Sequence, residues 1–155
     1  MKPSTSKRCI LMLEDDKEDR YITESFFREQ GYDIHLEFVT HGHEVIEYLD
    51  KCASEQLPYP DLILLDKNVP IGSGMDVLRE LKADDTYRTI PVVMISGTAF
   101  PKDVNESYRL GVSSYVLKPY SNEQTSRKIS SFITYWFDTV ELPEVSSSAI
   151  PELSM

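Results

Sequence analysis

Residues 61–70 read DLILLDKNVP. The aliphatic run 62–65 is uninterrupted, which marks a strand buried on both faces rather than an amphipathic one. It stops abruptly on a carboxylate, Asp66, and then on Lys67, Asn68 and a turn-forming proline. An unpaired charge is costly to bury, so a carboxylate at the end of a dry strand needs partners.

Two further runs share this buried character, CILML (9–13) and IPVVMIS (90–96). IHLEFV (34–39) alternates with period two and fits a strand nearer a sheet edge, and SYVL (114–117) is a short fifth strand. Helical patterns lie between them. One runs from Lys17 to Gln30, with Ile22, Phe26 and Phe27 on one side and Gly31 at its end. A second spans 43–53 with Val45, Ile46, Leu49 and Cys52 on one face. The third, 75–84, repeats Met75, Leu78 and Leu81; a weaker one covers 102–110, and a last one runs from 122 to 140. Strands alternating with helices predict an α/β domain with a parallel sheet and helices on both faces, joined by right-handed crossovers. The domain is expected over 7–141, with residues 142–155, Ser- and Pro-bearing and without periodicity, as a flexible tail.

Composition agrees with one soluble domain. The 155 residues are 41% hydrophobic and 27% charged, and a chain of this size buries roughly 70% of its unfolded surface without needing disulfides or a structural metal. The net charge of −10 argues against nonspecific binding to nucleic acid or to an anionic membrane. Cys9 and Cys52 have no metal-binding spacing and read as reduced thiols. The N-terminal apolar stretch is too short for a signal peptide, and no segment approaches the ~20 apolar residues of a membrane span. A cytoplasmic location is therefore expected.

In open parallel sheets, ligands sit at the carboxyl ends of the strands. The first buried strand ends in Glu14, Asp15 and Asp16, the second in Asp66. The third ends in Ser96, with Thr98 just beyond Gly97, and the fifth in Lys118 before a proline. Each has an ordinary explanation taken singly. Asp16 suits a helix N-cap, a lone Asp a turn, Ser96 a loop hydroxyl, and Lys118 a surface lysine with its stem buried. Their joint arrival at one sheet edge does not. Clustered carboxylates repel one another, and Mg²⁺, which takes oxygen ligands, relieves the repulsion. A carboxylate can attack phosphorus to give an aspartyl-phosphate. Lys118 and the Ser96 hydroxyl would then neutralise and hydrogen-bond the phosphoryl group, since phosphoryl transfer is mostly positioning and charge neutralisation.

On these residues the chain resembles the response-regulator receiver domain of two-component signalling, over roughly residues 7–140. The resemblance implies a doubly wound, flavodoxin-like (βα)5 fold with strand order 2-1-3-4-5. It implies that Asp66 is the phosphoacceptor and that Glu14 and Asp15 are the acidic pair, with Asp15 the direct Mg²⁺ ligand and Glu14 acting through water. The main-chain carbonyl of Asn68 would complete the metal site, and Ser96 and Lys118 would bind the phosphoryl group. Tyr115 matches the aromatic switch residue, while Asn68 and Thr98 occupy positions that tune access of water. Two departures stand out: Lys67 replaces a commonly apolar residue, and VPIGSG (69–74) places Ser73 where Asp is usual while keeping Gly74.

With no effector domain expected after the receiver, output must pass through protein–protein contact. In KISSFITYWFDTVELP (128–143), Ile129, Phe132, Ile133, Trp136 and Val140 form the stripe expected to dock on the sheet. Tyr135 and Phe137 fall outside its centre, and a wide apolar arc of this kind suits either a broad core face or an interface. The stretch also resembles the end of small single-domain receivers paired with bacterial phytochrome kinases. Expected partners are therefore a sensor histidine kinase, of phytochrome type on that resemblance, or a phosphotransfer protein. A second copy docked through the last helix and the fifth-strand face is a further expected partner. The competing readings are a scaffold that docks without phosphorylation, a flavin carrier and an aspartyl phosphatase. The acidic loop EDDKED (14–19) disfavours the flavin carrier. The phosphatase lacks its usual second Asp, since that position is Asn68. The domain is thus read as a signalling switch that catalyses only its own phosphorylation and dephosphorylation.

Overall fold

The computed structural model describes residues 7–119 and 121–145. Strands β1 (Arg8–Leu13), β2 (Ile34–Val39), β3 (Leu62–Asp66), β4 (Val92–Ser96) and β5 (Ser114–Leu117) alternate with five helices. These are α1 (Lys17–Glu29), α2 (Gly42–Ser54), α3 (Gly74–Ala83), α4 (Pro101–Leu110) and α5 (Asn122–Thr134). All strand pairs are parallel, in the order β2-β1-β3-β4-β5. The central strand is the opening stretch: every residue of β3 is buried.

Alternation along the strands sorts the core into two layers. Leu11, Leu13, Ile63, Leu65, Val92 and Met94 face α2 and α3 and pack on Val45, Leu49, Val77, Leu78 and Leu81. Ile10, Met12, Leu62, Leu64 and Val93 face the other way and meet Phe27 of α1 and Ile133 of α5. Each fully buried aliphatic side chain contributes about 1.5–3 kcal/mol, so the sheet's rigidity comes from both sides.

Local signals set the helix ends. Asp16 caps α1 by accepting from the Asp19 N–H at 2.9 Å. Ser73, standing in place of the more usual acid, caps α3 by accepting from the Asp76 N–H at 3.2 Å. A hydroxyl fills this role as well as a carboxylate, which explains why the departure is tolerated. Gly31 and Gly111 end α1 and α4 with positive φ, as helix-stopping glycines do.

The last helix corrects one expectation. The expected stripe leaves Phe137 outside its centre, whereas the structure puts it within the buried face; the helix then closes in a π-turn over Tyr135–Thr139, with the Val140 N–H on the Tyr135 carbonyl at 3.0 Å. Phe137 is buried, at 3% exposure beside Trp136, on the same face as Ile133 four residues earlier. Tyr135 stays outside, 51% exposed. Beyond the turn, Leu142 packs against the α1/α5 layer and Val145 against the opposite one. Tyr120 and the rest of the expected tail, 146–155, lie outside the described residues.

Candidate functional site

The carboxyl ends of β1, β3 and β5 gather the predicted residues into one acid pocket. Asp66 ends β3 at only 3% exposure, and both its oxygens are engaged. Oδ1 accepts from the Asn68 N–H at 2.9 Å, and Oδ2 accepts from Lys118 Nζ at 2.8 Å. Carboxylate oxygens of Glu14, Asp15 and Asp66 lie within 4.8 Å of one another. Glu14 is buried, and Asp15 is the least buried of the three.

The electrostatics are those of a crowded anionic site. Burial pushes the Glu14 carboxyl up to about 7, opposed by Lys118 and the Asp16 N–H and reinforced by the Asp66 and Asp19 charges. Burial would depress the Lys118 ammonium, but its hydrogen bond to Asp66 and the charges of Asp66, Glu14 and Asp19 outweigh this and raise it. Lys118 is thus one cation shared among Asp66 at 2.8 Å, Glu14 at 3.5 Å and Asp19 at 3.8 Å. An all-oxygen donor set with excess negative charge fits a hard divalent cation such as Mg²⁺.

Two predicted residues sit around this centre rather than in it. Ser96 is fully buried, and its hydroxyl accepts from the Thr98 N–H at 3.2 Å. Tyr115 donates its hydroxyl to the Thr98 carbonyl at 2.7 Å, so the loop after β4 connects the two. Asn68 presents its N–H to Asp66 while its side chain is exposed.

Sequence reasoning missed Asp19. The available signal was its place three residues after the cap Asp16, which sets it in the first turn of α1 facing the strand ends. It also missed a staple between loops. Gly72, at φ +77°, packs against the backbone of Gly42, whose N–H donates to the Ile71 carbonyl at 2.9 Å. Gly74 is as constrained, since a Cβ there would lie 2.6 Å from the Asp66 carbonyl oxygen. A cavity of about 270 Å³ runs from Glu14, Asp19 and Lys118 of the pocket between α1 and α5, and Ile22 of the expected core face lines it at 40% exposure. Among the described residues, no helix is long and apolar enough to cross a membrane.

Comparison with known proteins places this geometry. Residues 10–130 match the family model of the response regulator receiver domain. Response regulator Rcp1 of Synechocystis is 30% identical over 141 residues, covering 90% of this chain and 96% of Rcp1. The phosphorylated cyanobacterial phytochrome response regulator RcpA superposes with a TM-score of 0.82 at 31% identity, covering 89% of this chain and 99% of RcpA. The Mn²⁺-bound form of Rcp1 superposes with a TM-score of 0.79 at 31% identity, covering 88% and 99%. The chain belongs to the response regulator receiver domain family, and its fold is the flavodoxin-like receiver fold.

Proposed function

We propose that this receiver takes a phosphoryl group from the phosphohistidine of a sensor kinase, directly or through a phosphotransfer protein, onto Asp66 and converts it into a changed protein–protein surface. The observation that carries this is Asp66 itself: a nearly buried carboxylate at a strand end, oriented by one N–H and one ammonium, beside two further carboxylates. Glu14, Asp15, Asp66 and the Asn68 carbonyl would hold Mg²⁺, which when bound offsets the charge of the acid pocket and of the incoming phosphoryl group.

An Asp66 oxygen attacks phosphorus. The new P–O bond forms as the P–N bond breaks, and the imidazole leaves with that electron pair. The Asn68 N–H holds the carboxylate in its attacking orientation, so little rearrangement precedes the attack. Lys118 then exchanges Asp66 Oδ2 for a phosphoryl oxygen, keeping a charge-assisted hydrogen bond throughout. The Ser96 hydroxyl leaves Thr98 for the phosphoryl group, which loosens the loop that Tyr115 also holds and biases a two-state equilibrium. Water later cleaves the acyl phosphate, releasing inorganic phosphate and restoring the carboxylate.

Likeness to phytochrome response regulators supports a light-sensing histidine kinase as the donor, and the family's role supports a cytoplasmic switch rather than a metabolic enzyme. Exposed Phe100, Tyr108 and Tyr135 support an output face on α4, β5 and α5 that meets a second copy or a target protein.

Incubation with Mg²⁺ and a small acyl phosphate, read by intact mass, tests the assignment. One added phosphoryl group is expected, absent in Asp66→Asn. No mass gain, or a gain that persists in the variant, leaves only a scaffold that docks independently of phosphorylation. Size analysis with and without beryllofluoride tests the dimer: an unchanged mass removes phosphorylation-controlled dimerisation.

A further inference from the structure

Lys67 directly follows Asp66, and strand alternation turns the two side chains to opposite faces of the sheet. Asp66 joins the acid pocket. Lys67 reaches the other layer, where its Nζ lies 3.1 Å from Oδ2 of Asp103 in the first turn of α4. The pair is partly withdrawn from water, with side chains 15% and 32% exposed.

Helix α4 is otherwise held at its far end, where Leu110 packs on the core and the Tyr108 hydroxyl accepts from the Tyr115 N–H at 3.2 Å. Ser107 is its only fully buried residue, and that hydroxyl bonds the Asp103 carbonyl and the Met75 sulfur. The other ion pair from α4 to its neighbour, Glu106 with Arg79, is longer at 3.7 Å and more exposed. Where apolar burial is slight, a half-buried ion pair weighs more in the helix's placement. The short loop Gly97–Phe100 connects α4 to Ser96, and the Thr98 N–H in that loop donates to the Ser96 hydroxyl at 3.2 Å, so the loop touches both the hydroxyl and the helix that Lys67 contacts.

We propose that Lys67 is a positioning residue: its ion pair with Asp103 latches α4 to the strand end that carries the phosphoacceptor and sets how readily α4 rearranges when Ser96 engages a phosphoryl group. The inference rests on Asp66 being that acceptor. The latch stabilises the resting arrangement, so its loss shifts the two-state equilibrium toward the arrangement that phosphorylation favours. While the resting state predominates, the whole of that shift appears in the affinity for a phosphoryl mimic.

The test compares, on the full chain, Lys67→Met, Asp103→Asn and the charge swap Lys67→Asp/Asp103→Lys with wild type. Beryllofluoride affinity in saturating Mg²⁺ and the phosphorylation rate with a small acyl phosphate are measured beside Mg²⁺ affinity alone and urea stability. Each single variant is expected to gain about three- to fivefold in beryllofluoride affinity and in rate, the range of one ion pair. Mg²⁺ affinity stays within twofold, and the swap returns toward wild type. Singles that match wild type, a swap no closer to wild type than the singles, or an effect confined to urea stability would each overturn the latch. If wild type gains no phosphoryl mass on Asp66, the phosphoacceptor reading fails first and takes this inference with it.

Discussion

Gly42→Ala probes the loop staple that supports the acid pocket. A Cβ at this position would lie 2.7 Å from the Gly72 carbonyl oxygen and 3.0 Å from its carbonyl carbon and Cα. All three are backbone atoms, so no rotamer relieves the contact and the loop after β3 must move. Movement stretches the Gly42 N–H bond to Ile71, worth about 1 kcal/mol, and overpacking adds about 1–3 kcal/mol. Alanine returns about 0.5–1 kcal/mol by narrowing the unfolded ensemble. The net loss is about 2 kcal/mol, which lowers Tm by about 4–8 °C in a chain of this length. Because the same loop carries Asn68, whose N–H orients Asp66, the stabilisation conferred by Mg²⁺ is expected to shrink as well. Thermal and urea unfolding, each with chelator and with Mg²⁺, read both effects. Gly97→Ala serves as the control, since a Cβ there meets nothing within 4 Å, and its change stays within about 0.5 kcal/mol. A Gly42→Ala protein as stable as wild type, or a control equally destabilised, refutes the reasoning.

Three further outcomes follow from the geometry. Phe137→Ala is expected to cost about 3–5 kcal/mol in urea unfolding, against less than about 1 kcal/mol for exposed Tyr135→Ala; equal costs would contradict the burial of Phe137 against the sheet. Glu14→Gln removes one of the mutually repelling buried carboxylates, so it is expected to stabilise chelator-treated protein while losing part of the Mg²⁺-induced gain in Tm; destabilisation in chelator would contradict the crowded-charge picture. Burial, and then the Asp61 and Glu37 charges, push the Cys9 thiol up to about 11, which leaves roughly a hundredfold less thiolate at pH 8 than in free cysteine. A disulfide reagent at pH 8 should therefore modify Cys9 correspondingly slowly until denaturant is added. A raised folded pKa also means that this thiol's contribution to stability is complete below about pH 8.5 and disappears as pH rises toward 11, which alkaline unfolding of Cys9→Ser against wild type measures.

The parallel sheet was legible because central strands must be apolar on both faces, which leaves LILL, CILML and VVMI unbroken by polar residues. The acid pocket was legible for the complementary reason. Charges excluded from those strands can stand only at their ends, so Glu14, Asp15, Asp66 and Lys118 announced themselves by position. What escaped depends on contacts without a local signature. Phe137 reads as off-centre because Phe132 and Trp136 pull the stripe to one side, whereas the buried face centres nearer Ile133, four residues before Phe137. Lys67 had no reading until Asp103, remote in sequence, supplied its partner. The Gly42–Gly72 contact is defined by missing atoms, which leave no pattern in hydropathy. Ile22 carries the periodicity of a core residue yet lines a cavity, because α1 and α5 do not close over it.

Strand alternation has a genetic consequence. Asp66 and Lys67 are consecutive, yet one belongs to the layer of α1 and α5, where the phosphoryl chemistry would occur, and the other to the layer of α3 and α4, which would move. On β1 and β3 the parity of the residue number therefore decides which layer a substitution disturbs. Even positions from Ile10 to Leu64 adjoin the acid pocket's layer, and odd positions from Leu11 to Leu65 adjoin the latch's layer. On the proposed function, a saturation screen is accordingly expected to split into two phenotypic classes, one defective in accepting phosphate and one defective in responding to it. The two classes will interleave residue by residue along the same strands.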